Sequence, residues 1–385
     1  MEPTIRIFDE NPYRTEFSAR VLSVSQNEKG QWETVLDATC FFPEQGGQTP
    51  DRGILGGKKV IYVRNDGGVI THITEECPSA APGDTVFGTI DFEHRFSNMQ
   101  QHSGEHIFSG ILHKKYGYEN VGFHLSDHVV TLDTSGPLDG EQIRRVELEA
   151  NRIIFENRKI TAFFPKPYEL DNIDFRSKDG IEGEVRLVEI DGVDICACCA
   201  PHVSMTGEIG FLKVVDFMNY KGGTRISILC GGRALEYINE DAATVKSLVN
   251  LFSCKREETL ANVEKLKSDK AALEQKLRQY QEKALLAQVE GTDEAAENVL
   301  VFSDAEDNTA VRNAVNSLIA KHRGYCGIFY GTDGNYRFII GSSEKDCNEL
   351  MKTLRERGVK GGGSSAMVQG NAEKTREEIA EMLNF

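Results

Sequence analysis

Residues 255–289 contain no glycine and no proline, which restricts this part of the chain to one long helix or a helical hairpin. Apolar side chains recur there at spacings of three and four residues, interrupted by a lysine at 270; they are Val263, Leu266, Leu273, Leu277 and Tyr280. Such a stripe suits a short coiled coil, and an amphipathic helix on a domain face explains it equally well. The stretch predicts a helical linker over residues 251–290, between two folded parts of the chain.

The composition is that of a folded protein with several domains. With 385 residues and 39% hydrophobic content, the chain can bury the cores of two to four domains, and no apolar run approaches the ~18–20 residues of a membrane span. The net charge of −16 argues against a nucleic-acid-binding surface but leaves room for a local basic groove. Nine cysteines, without a secretory signal at the N-terminus, predict reduced thiols in the cytoplasm, some of them available for metal.

The pattern of apolar runs changes along the chain. Residues 1–91 alternate short apolar runs with glycine-containing breaks, which predicts a small antiparallel β-barrel or sandwich. Residues 92–250 mix strand and helix patterns, including a helix over 97–116 with Ser97 or Asn98 as its N-cap. Residues 291–385 alternate strands and helices around a glycine turn at 361–363. The expected class is α+β, with an N-terminal barrel, an α+β core, a helical arm and a C-terminal α/β domain.

Two short motifs supply metal-ligating side chains. His102 and His106 lie four residues apart, on one face of the predicted helix. Cys198 and His202 form a second pair, C-x3-H, at the end of a predicted strand. Three imidazole nitrogens and one thiolate sulfur make a complete tetrahedral donor set for zinc, so the two pairs together predict a zinc site.

Other interpretations use only part of these motifs. His102–His106 also fits H-x-x-E-H, with Glu105 as the base of a metallopeptidase, but the cysteines then have no role. Cys196 and Cys199 fit a redox C-x-x-C, which leaves the histidines unused. A deaminase needs H-x-E, and no histidine of this chain has glutamate two residues on. Only the His/Cys zinc site uses both pairs.

The order and separation of the motifs resemble the alanyl-tRNA editing family, the stand-alone relatives of the editing domain of alanyl-tRNA synthetase. The resemblance covers roughly residues 1–245 and rests on Asp37-Ala-Thr39, Phe41-Phe42, Gly46-Gly47-Gln48, MQQHSGEHIFSGIL around His102 and His106, GFHLSDHVVTLD, and Cys198 with His202. One departure is Cys199, a second thiol beside Cys198. The segment VKGGGSSAMVQGN (359–371) resembles the DHH-associated domain, which implies the long form of the family.

The resemblance implies a domain order. Residues 1–91 are then a β-barrel that carries the Gly-Gly-Gln loop, and 92–250 are the zinc-binding editing domain. Residues 251–290 are the helical linker, and 291–385 are the DHH-associated domain. No stretch resembles a class II synthetase active site, so amino-acid activation is not expected and the activity is ATP-independent.

The resemblance also implies a zinc-dependent hydrolase that removes the amino acid from mischarged tRNA(Ala), chiefly seryl-tRNA(Ala), with glycyl-tRNA(Ala) as a second candidate. The implied catalytic residues are Thr39, Gln48, His102 and His106, the substrate-binding residues are Thr39, Gly46, Gly47 and Gln48, and the ligands of Zn2+ are His102, His106, Cys198 and His202. The implied partners are tRNA and, through the C-terminal half, a second copy of the chain. Whether three or four residues hold zinc, and whether zinc activates water or positions substrate, stays open.

Two further functions are compatible with the residues alone. A zinc-stabilised RNA-binding module without catalysis needs the same four ligands, and a metallopeptidase needs Glu105. An editing enzyme differs from both because it must tell serine from alanine. A site that hydrogen-bonds a hydroxyl rejects the analogue without it by ~10⁴ or more. Thr39, at the end of a predicted strand, is the candidate for that hydrogen bond.

Overall fold

The computed structural model describes residues 2–177 and 184–383. Helices and strands are mixed along the chain, which confirms the expected α+β class. The chain forms two compact units, and the boundary between them lies between residues 245 and 246. The finer division into four segments remains a prediction. Within the part of the chain that the structure describes, no helix is long and apolar enough to cross a membrane.

The first unit is built mainly from short strands. Its strands are β1 (Ile5–Arg6), β2 (Glu16–Gln26), β3 (Trp32–Leu36), β4 (Ala38–Thr39), β5 (Gly53–Leu55), β6 (Lys58–Asp66), β7 (Val69–Thr74), β8 (Thr85–Ile90), β9 (Asn120–Leu125), β10 (Val130–Thr134), β11 (Ile160–Phe163), β12 (Leu187–Ile190), β13 (Asp194–Ala197), β14 (Leu212–Tyr220) and β15 (Gly223–Cys230). Its helices are α1 (Ile7–Glu10), α2 (Phe92–Tyr116), α3 (Gly140–Phe155), α4 (Pro167–Leu170) and α5 (Gly231–Phe252), with a 3-10 turn at Thr206–Ile209.

The N-terminal strands close into a barrel in the order β2-β3-β7-β6-β5-β8. Burial alternates along β2, where Phe17, Ala19 and Val21 point inward and their neighbours are exposed. These side chains pack with Phe41 and Phe42 into the barrel core. Beside the barrel, β1 pairs with β4 in parallel, and this pairing places Arg6 opposite Thr39.

A second core surrounds helix α2. It contains side chains from α2, from α3 and from the antiparallel sheet β14-β15-β10-β9. Helix α3 contributes its apolar stripe and begins with a capping box formed by Asp139 and Gln142. A three-stranded sheet, β11-β12-β13, completes this part of the unit. Cys198 packs against this core and against the barrel core, so the candidate site lies where the two meet.

The predicted start of helix α2 is wrong. Ser97 and Asn98 lie inside the helix, which begins at Phe92 because the Asp91 side chain accepts a hydrogen bond from the His94 backbone N–H. The helix ends at Gly117, whose φ of 67° is the left-handed conformation that glycine adopts freely.

A buried ion pair fixes the loop that precedes β5 against helix α2. The Arg95 Nε lies 2.9 and 3.0 Å from the two carboxylate oxygens of Asp51, and both side chains are fully buried. Asp51 also accepts from the backbone N–H of Phe42 at 2.7 Å, and Arg95 donates to the carbonyl of Cys40 at 2.6 Å. Because every charge of the pair is hydrogen-bonded, the loop that carries residues 46–48 is held in one position.

The second unit combines one sheet with four helices among the residues described up to 383. Its strands are β16 (Val299–Ser303), β17 (Cys326–Thr332), β18 (Asn335–Gly341), β19 (Lys360–Gly363) and β20 (Met367–Ala372), in the order β16-β17-β18-β20-β19. Its helices are α6 (Thr259–Glu290), α7 (Asn308–Ile319), α8 (Cys347–Glu356) and α9 (Arg376–Leu383), with a 3-10 turn at Arg256–Glu258.

The glycine run of this unit is a strand, so the predicted turn at 361–363 is wrong. Gly361 pairs with Gly370 of β20. A Cβ atom on Gly361 would lie 2.6 Å from the carbonyl oxygen of Gln369, and one on Gly370 would lie 2.0 Å from that of Lys360. The two strands therefore approach closely only because both positions lack a side chain.

Helix α6 is one continuous helix, not a hairpin. Near its C-terminal end, Leu285 and Val289 are buried in the core of the second unit, with residues of β16 and α7. Its remaining large apolar side chains are exposed to solvent; they are Leu260, Val263, Leu266, Leu273, Leu277, Tyr280 and Leu286. The helix therefore presents an apolar stripe that its own unit does not cover.

Candidate metal centre

Helix α2 and the segment after β13 bring the four predicted ligands together. His102 and His106 are one helical turn apart, with ring centroids separated by 5.3 Å. The His202 ring lies 4.9 Å from the first and 4.7 Å from the second. The Cys198 Sγ is 3.5 Å from Nε2 of His102 and 3.3 Å from Nε2 of His202. One ligand atom from each residue lies within 4.8 Å of the other three, so the group can hold a metal ion.

Two of the three histidines are held by a hydrogen bond at the other ring nitrogen, and the third faces a carboxylate. Nδ1 of His102 lies 2.7 Å from the amide oxygen of Gln48, and Nδ1 of His202 lies 3.0 Å from the hydroxyl of Ser103. Nδ1 of His106 faces the Asp194 carboxylate at 3.7 Å. With Nδ1 directed outward in all three rings, Nε2 is the nitrogen that each offers to the cluster.

The Asp194 carboxylate is itself fixed by an arginine. Arg176 binds it through two nitrogens, Nε and one terminal nitrogen, each at 2.7 Å. Burial alone would raise the pKa of Asp194, but the hydrogen bonds from Arg176 outweigh it and lower that pKa to about 2. Asp194 therefore stays ionised beside His106, the state in which a carboxylate can serve as the outer partner of a metal-binding histidine.

The cysteines of this segment differ in their ionisation. Burial alone would raise the pKa of Cys198, but the nearby imidazoles hold it well below its usual value. Burial and the neighbouring Cys198 raise the pKa of Cys199 to about 12, and burial also raises the pKa of Cys196. Because a metal is bound by the thiolate form, Cys198 is the cysteine prepared for it.

A cavity of about 770 Å3 opens beside the cluster. His102, His106 and Cys198 form part of its wall, together with Glu105 and Asn120. Residues in and just before β1, just before β12, and in and just after β13 line other parts of the wall; they include Thr4, Ile5, Arg6, Arg186, Cys196 and Cys199. The cavity is large enough for a small-molecule group of substrate size to reach the candidate ligands.

Comparisons with known proteins agree with this arrangement. Residues 185–227 match the family model described as threonyl and alanyl tRNA synthetase second additional domain. The chain is 28% identical over 399 residues to the alanyl-tRNA editing protein AlaX-L of Pyrococcus horikoshii, with 98% of this chain and 96% of that protein covered. The resemblance to the alanyl-tRNA editing family is confirmed.

The same similarity extends to larger proteins that contain a related segment. The chain is 28% identical over 396 residues to the alanine–tRNA ligase of Ignicoccus hospitalis and 30% identical over 408 residues to that of Thermococcus kodakarensis. Each alignment covers 99% of this chain but only 42% and 44% of the ligases. The chain thus matches AlaX-L from end to end and spans less than half of these ligases.

The Gly-Gly-Gln loop reaches the site in three different ways. Gly46 lines the cavity, and a Cβ there would lie 3.6 Å from the Cys199 Sγ. Gly47 packs against β9, where a Cβ would lie 2.5 Å from the carbonyl oxygen of Phe123. Gln48 is fully buried behind His102, and its amide nitrogen has no hydrogen-bond acceptor in the described part of the chain.

Thr39 lies apart from the metal cluster. Its side chain is fully buried, and its hydroxyl is 2.8 Å from Nε2 of His72. Burial lowers the pKa of His72 to about 4, and its Nδ1 faces the carbonyl of Thr34, so Nε2 of the neutral ring accepts from Thr39. The Thr39 oxygen also accepts from the Phe41 backbone N–H, and Thr39 is not part of the cavity wall described above.

Sequence reasoning missed the residues that orient the ligands. Asp194, Arg176 and Ser103 belong to no recognisable motif, and their roles depend on distances that only the fold sets. One signal was available for Ser103, which directly follows His102 on the same helix. Asn120 was missed for the same reason, because it reaches the cavity wall from the start of β9.

Proposed function

We propose that this protein is a trans-editing hydrolase that removes the amino acid from mischarged tRNA(Ala), with seryl-tRNA(Ala) as the main substrate and glycyl-tRNA(Ala) as a second one. The observation that carries the proposal is the convergence of His102, His106, Cys198 and His202 in one cluster, three members of which line a cavity. Its support is the similarity, over nearly the full length of both chains, to a protein named for alanyl-tRNA editing.

The four candidate ligands fit a zinc ion. Zinc binds imidazole nitrogen at ~2.0–2.1 Å and thiolate sulfur at ~2.3 Å, so tetrahedral angles place two such donor atoms about 3.5 Å apart. The two Sγ–Nε2 distances at Cys198 are 3.5 and 3.3 Å. Three oriented imidazoles and one ionised thiol are also the donor chemistry that zinc prefers. We therefore assign His102, His106, Cys198 and His202 as zinc ligands.

Bound zinc supplies a Lewis acid that can polarise a carbonyl or activate water. The protein's own residues contribute position. Gln48 accepts a hydrogen bond from Nδ1 of His102, which fixes the tautomer and the ring plane. Asp194, held by Arg176, faces Nδ1 of His106 at 3.7 Å, beyond hydrogen-bond distance, and acts on that ring through its charge. Gly46 leaves room on the cavity wall, so the acceptor end of a tRNA can approach the site without a side chain in its path.

The decisive experiment is a deacylation assay with labelled seryl-, glycyl- and alanyl-tRNA(Ala). We expect kcat/KM for seryl-tRNA(Ala) to exceed that for alanyl-tRNA(Ala) by a factor of ~10² or more. A chelator should abolish the cleavage. A zinc-stabilised RNA-binding module would bind all three substrates and cleave none. Cleavage of an unstructured peptide, lost on Glu105→Gln, would instead identify a metallopeptidase.

We further propose Thr39 as the group that recognises the serine hydroxyl. Because its hydrogen is donated to His72 and one lone pair accepts from Phe41, its oxygen retains one acceptor position. A serine hydroxyl can donate to that position and an alanine methyl cannot. Arg6, its neighbour across the β1–β4 pair, lines the cavity and supports a place for Thr39 near the substrate.

Thr39→Val tests this assignment because it keeps the shape and removes the oxygen. The serine-to-alanine ratio of kcat/KM should fall about tenfold or more, the scale of one lost buried hydrogen bond at ~1–3 kcal/mol. The same substitution leaves Nε2 of His72 without a donor, so thermal unfolding of the variant must be measured alongside. An unchanged ratio in a folded variant would limit Thr39 to supporting the barrel.

The second unit is proposed to bind tRNA and to form a homodimer. Its C-terminal sheet is the candidate DHH-associated domain, and residues 321–360 carry eight basic against five acidic residues in a chain of net charge −16. Helix α6 offers its exposed apolar stripe for pairing with a second copy. A tRNA held by such a unit explains how an acidic protein binds a polyanion.

A further inference from the structure

Glu105 is a buried carboxylate that the metal cluster does not use. It directly precedes His106, is only 4% exposed and forms part of the cavity wall. Its Oε1 atom accepts two hydrogen bonds, one from the Ser109 hydroxyl and one from the Asn120 amide at 2.7 Å. These two neighbours fix the carboxylate in place, with one of its oxygens already satisfied.

The other oxygen of Glu105, Oε2, has no partner among residues 2–177 and 184–383. No hydrogen bond reaches it there, and no lysine, arginine or histidine of those ranges forms an ion pair with Glu105. A carboxylate oxygen without a protein partner can accept a hydrogen bond from a ligand group. Because Glu105 lines the cavity, an ammonium group of a ligand could donate to this oxygen.

Two of the three arginines that line the cavity, Arg176 and Arg186, are bound to other groups. Arg176 is held by both oxygens of Asp194. Arg186 donates to the carbonyls of Cys198 and Ala200, each at 2.9 Å, and its Nε faces Asp9 at 3.5 Å. Neither of these two guanidinium groups forms an ion pair with Glu105, so Oε2 of Glu105 remains available to a cationic group of a ligand.

We infer that Glu105 binds the α-ammonium group of the aminoacyl ester and so restricts the substrate to esters with a free amino group. The inference rests on the proposed function and deepens it. In an aminoacyl ester the ammonium is one carbon away from the carbonyl that is attacked, and Glu105 and the proposed ligand His106 line the same cavity. An ammonium at Glu105 therefore brings the ester beside the metal cluster. N-acylated aminoacyl-tRNA lacks this charge and leaves the carboxylate unpaired.

The test is Glu105→Gln, assayed with seryl-tRNA(Ala) and with N-acetyl-seryl-tRNA(Ala). Glutamine keeps the length of the side chain and an oxygen that accepts from Ser109 and Asn120, but it has no charge. The unchanged protein should prefer the free amino substrate by about tenfold to 100-fold in kcat/KM, the scale of a hydrogen bond to a charged group. In Glu105→Gln the rate with seryl-tRNA(Ala) should fall by that factor while the rate with the acetylated substrate stays the same. Bound metal should be unchanged.

Glu119→Gln is the matched control. Glu119 also lines the cavity, but its side chain is 48% exposed and lies 2.6 Å from the Nδ1 atom of His113. Its substitution should leave the preference for a free amino group intact. A structural role of Glu105 would lower both rates equally, which would overturn the inference.

Two other outcomes are informative. If Glu105→Gln changes the serine-to-alanine ratio and not the amino-to-acetyl ratio, Glu105 binds the serine hydroxyl and the inference is wrong. If the unchanged protein cleaves no aminoacyl-tRNA at all, the proposed function fails before the role of Glu105 is reached.

Discussion

Replacing Cys198 with alanine is expected to remove the metal and to lower the rate of seryl-tRNA(Ala) deacylation by more than about 100-fold. Cys198 supplies the only thiolate of the four-residue group, at 3.5 and 3.3 Å from two of the imidazoles. Loss of an outer partner of a zinc ligand already costs ~10–100-fold in affinity or activity, and loss of a ligand should cost more. Metal content by elemental analysis and single-turnover deacylation give the two readouts.

Cys199→Ala is the control for this prediction. Cys199 is next in sequence and similarly placed on the cavity wall, but its pKa is raised to about 12, so it remains a neutral thiol. Its substitution should retain the metal and most of the activity. Equal losses in the two variants would mean that the ligand is misassigned, and full activity of Cys198→Ala without metal would contradict a metal-dependent mechanism.

The candidate ligand set could be proposed from the sequence because its two pairs are encoded locally. Helical spacing alone places His102 and His106 on one face, and the C-x3-H spacing limits how far Cys198 and His202 can separate. That both pairs meet is a property of the fold, and the structure brings them together. The orienting residues had no such local signal, since Gln48 and Asp194 come from a loop and a strand far from α2 in sequence.

The same distinction explains the errors in the fold. The apolar periodicity of α2 marked its middle correctly, but its start depends on the Asp91 cap, five residues before the apolar pattern becomes regular. The three consecutive glycines at 361–363 predict a turn, because glycine is common in turns. Their actual role comes from the close approach of β19 to β20, which involves residues that are distant in sequence. A local pattern thus predicts the middle of a helix, but it does not predict a helix end or a strand that depends on contacts between distant residues.

The apolar stripe of helix α6 follows a heptad repeat, which allows the proposed dimer to be specified further. Val263, Lys270 and Leu277 occupy the a positions. Leu266, Leu273 and Tyr280 occupy the d positions. The apolar members of this seam are exposed in the single chain, Leu273 by 65%. Two such helices can bury the seam against each other in a parallel or an antiparallel arrangement.

Charges beside the seam favour the antiparallel arrangement. In a parallel pair, Lys270 would meet its own copy at the interface, and Asp269 at g would face Glu274 at e of the other helix. In an antiparallel pair with Lys270 opposite Leu273, Lys267 faces Glu274 and Asp269 faces Lys276, and each of these contacts occurs twice. The antiparallel pair thus replaces two like-charge contacts with ion pairs. Ion pairs at e and g positions influence the orientation of the helices in a coiled coil.

Leu273→Asp should convert the dimer to a monomer. Each copy loses a side chain whose burial stabilises the interface by ~1.5–3 kcal/mol and gains a buried charge, so the dissociation constant should rise by more than about 100-fold. Sedimentation velocity over a concentration series measures it on the full chain. The metal site lies in the other unit, so metal content should not change. A chain that sediments as a monomer before any substitution would contradict the proposed dimer.

Glu274→Lys decides between the two orientations because it should weaken dimerisation in one of them and strengthen dimerisation in the other. In the antiparallel pair it places the introduced ammonium opposite Lys267, and dimerisation should weaken by about threefold to tenfold, the scale of two exposed ion pairs at ~0.2–1 kcal/mol each. In the parallel pair the new side chain would face Asp269, and dimerisation should strengthen. Glu264→Lys, at an exposed b position, changes the charge equally but lies off the seam, so its effect gives the baseline.

Because Glu274 also pairs with Lys270 within its own helix at 3.8 Å, helix content by circular dichroism is compared between the two variants. Tighter association of Glu274→Lys than of Glu264→Lys would show that the helices run parallel.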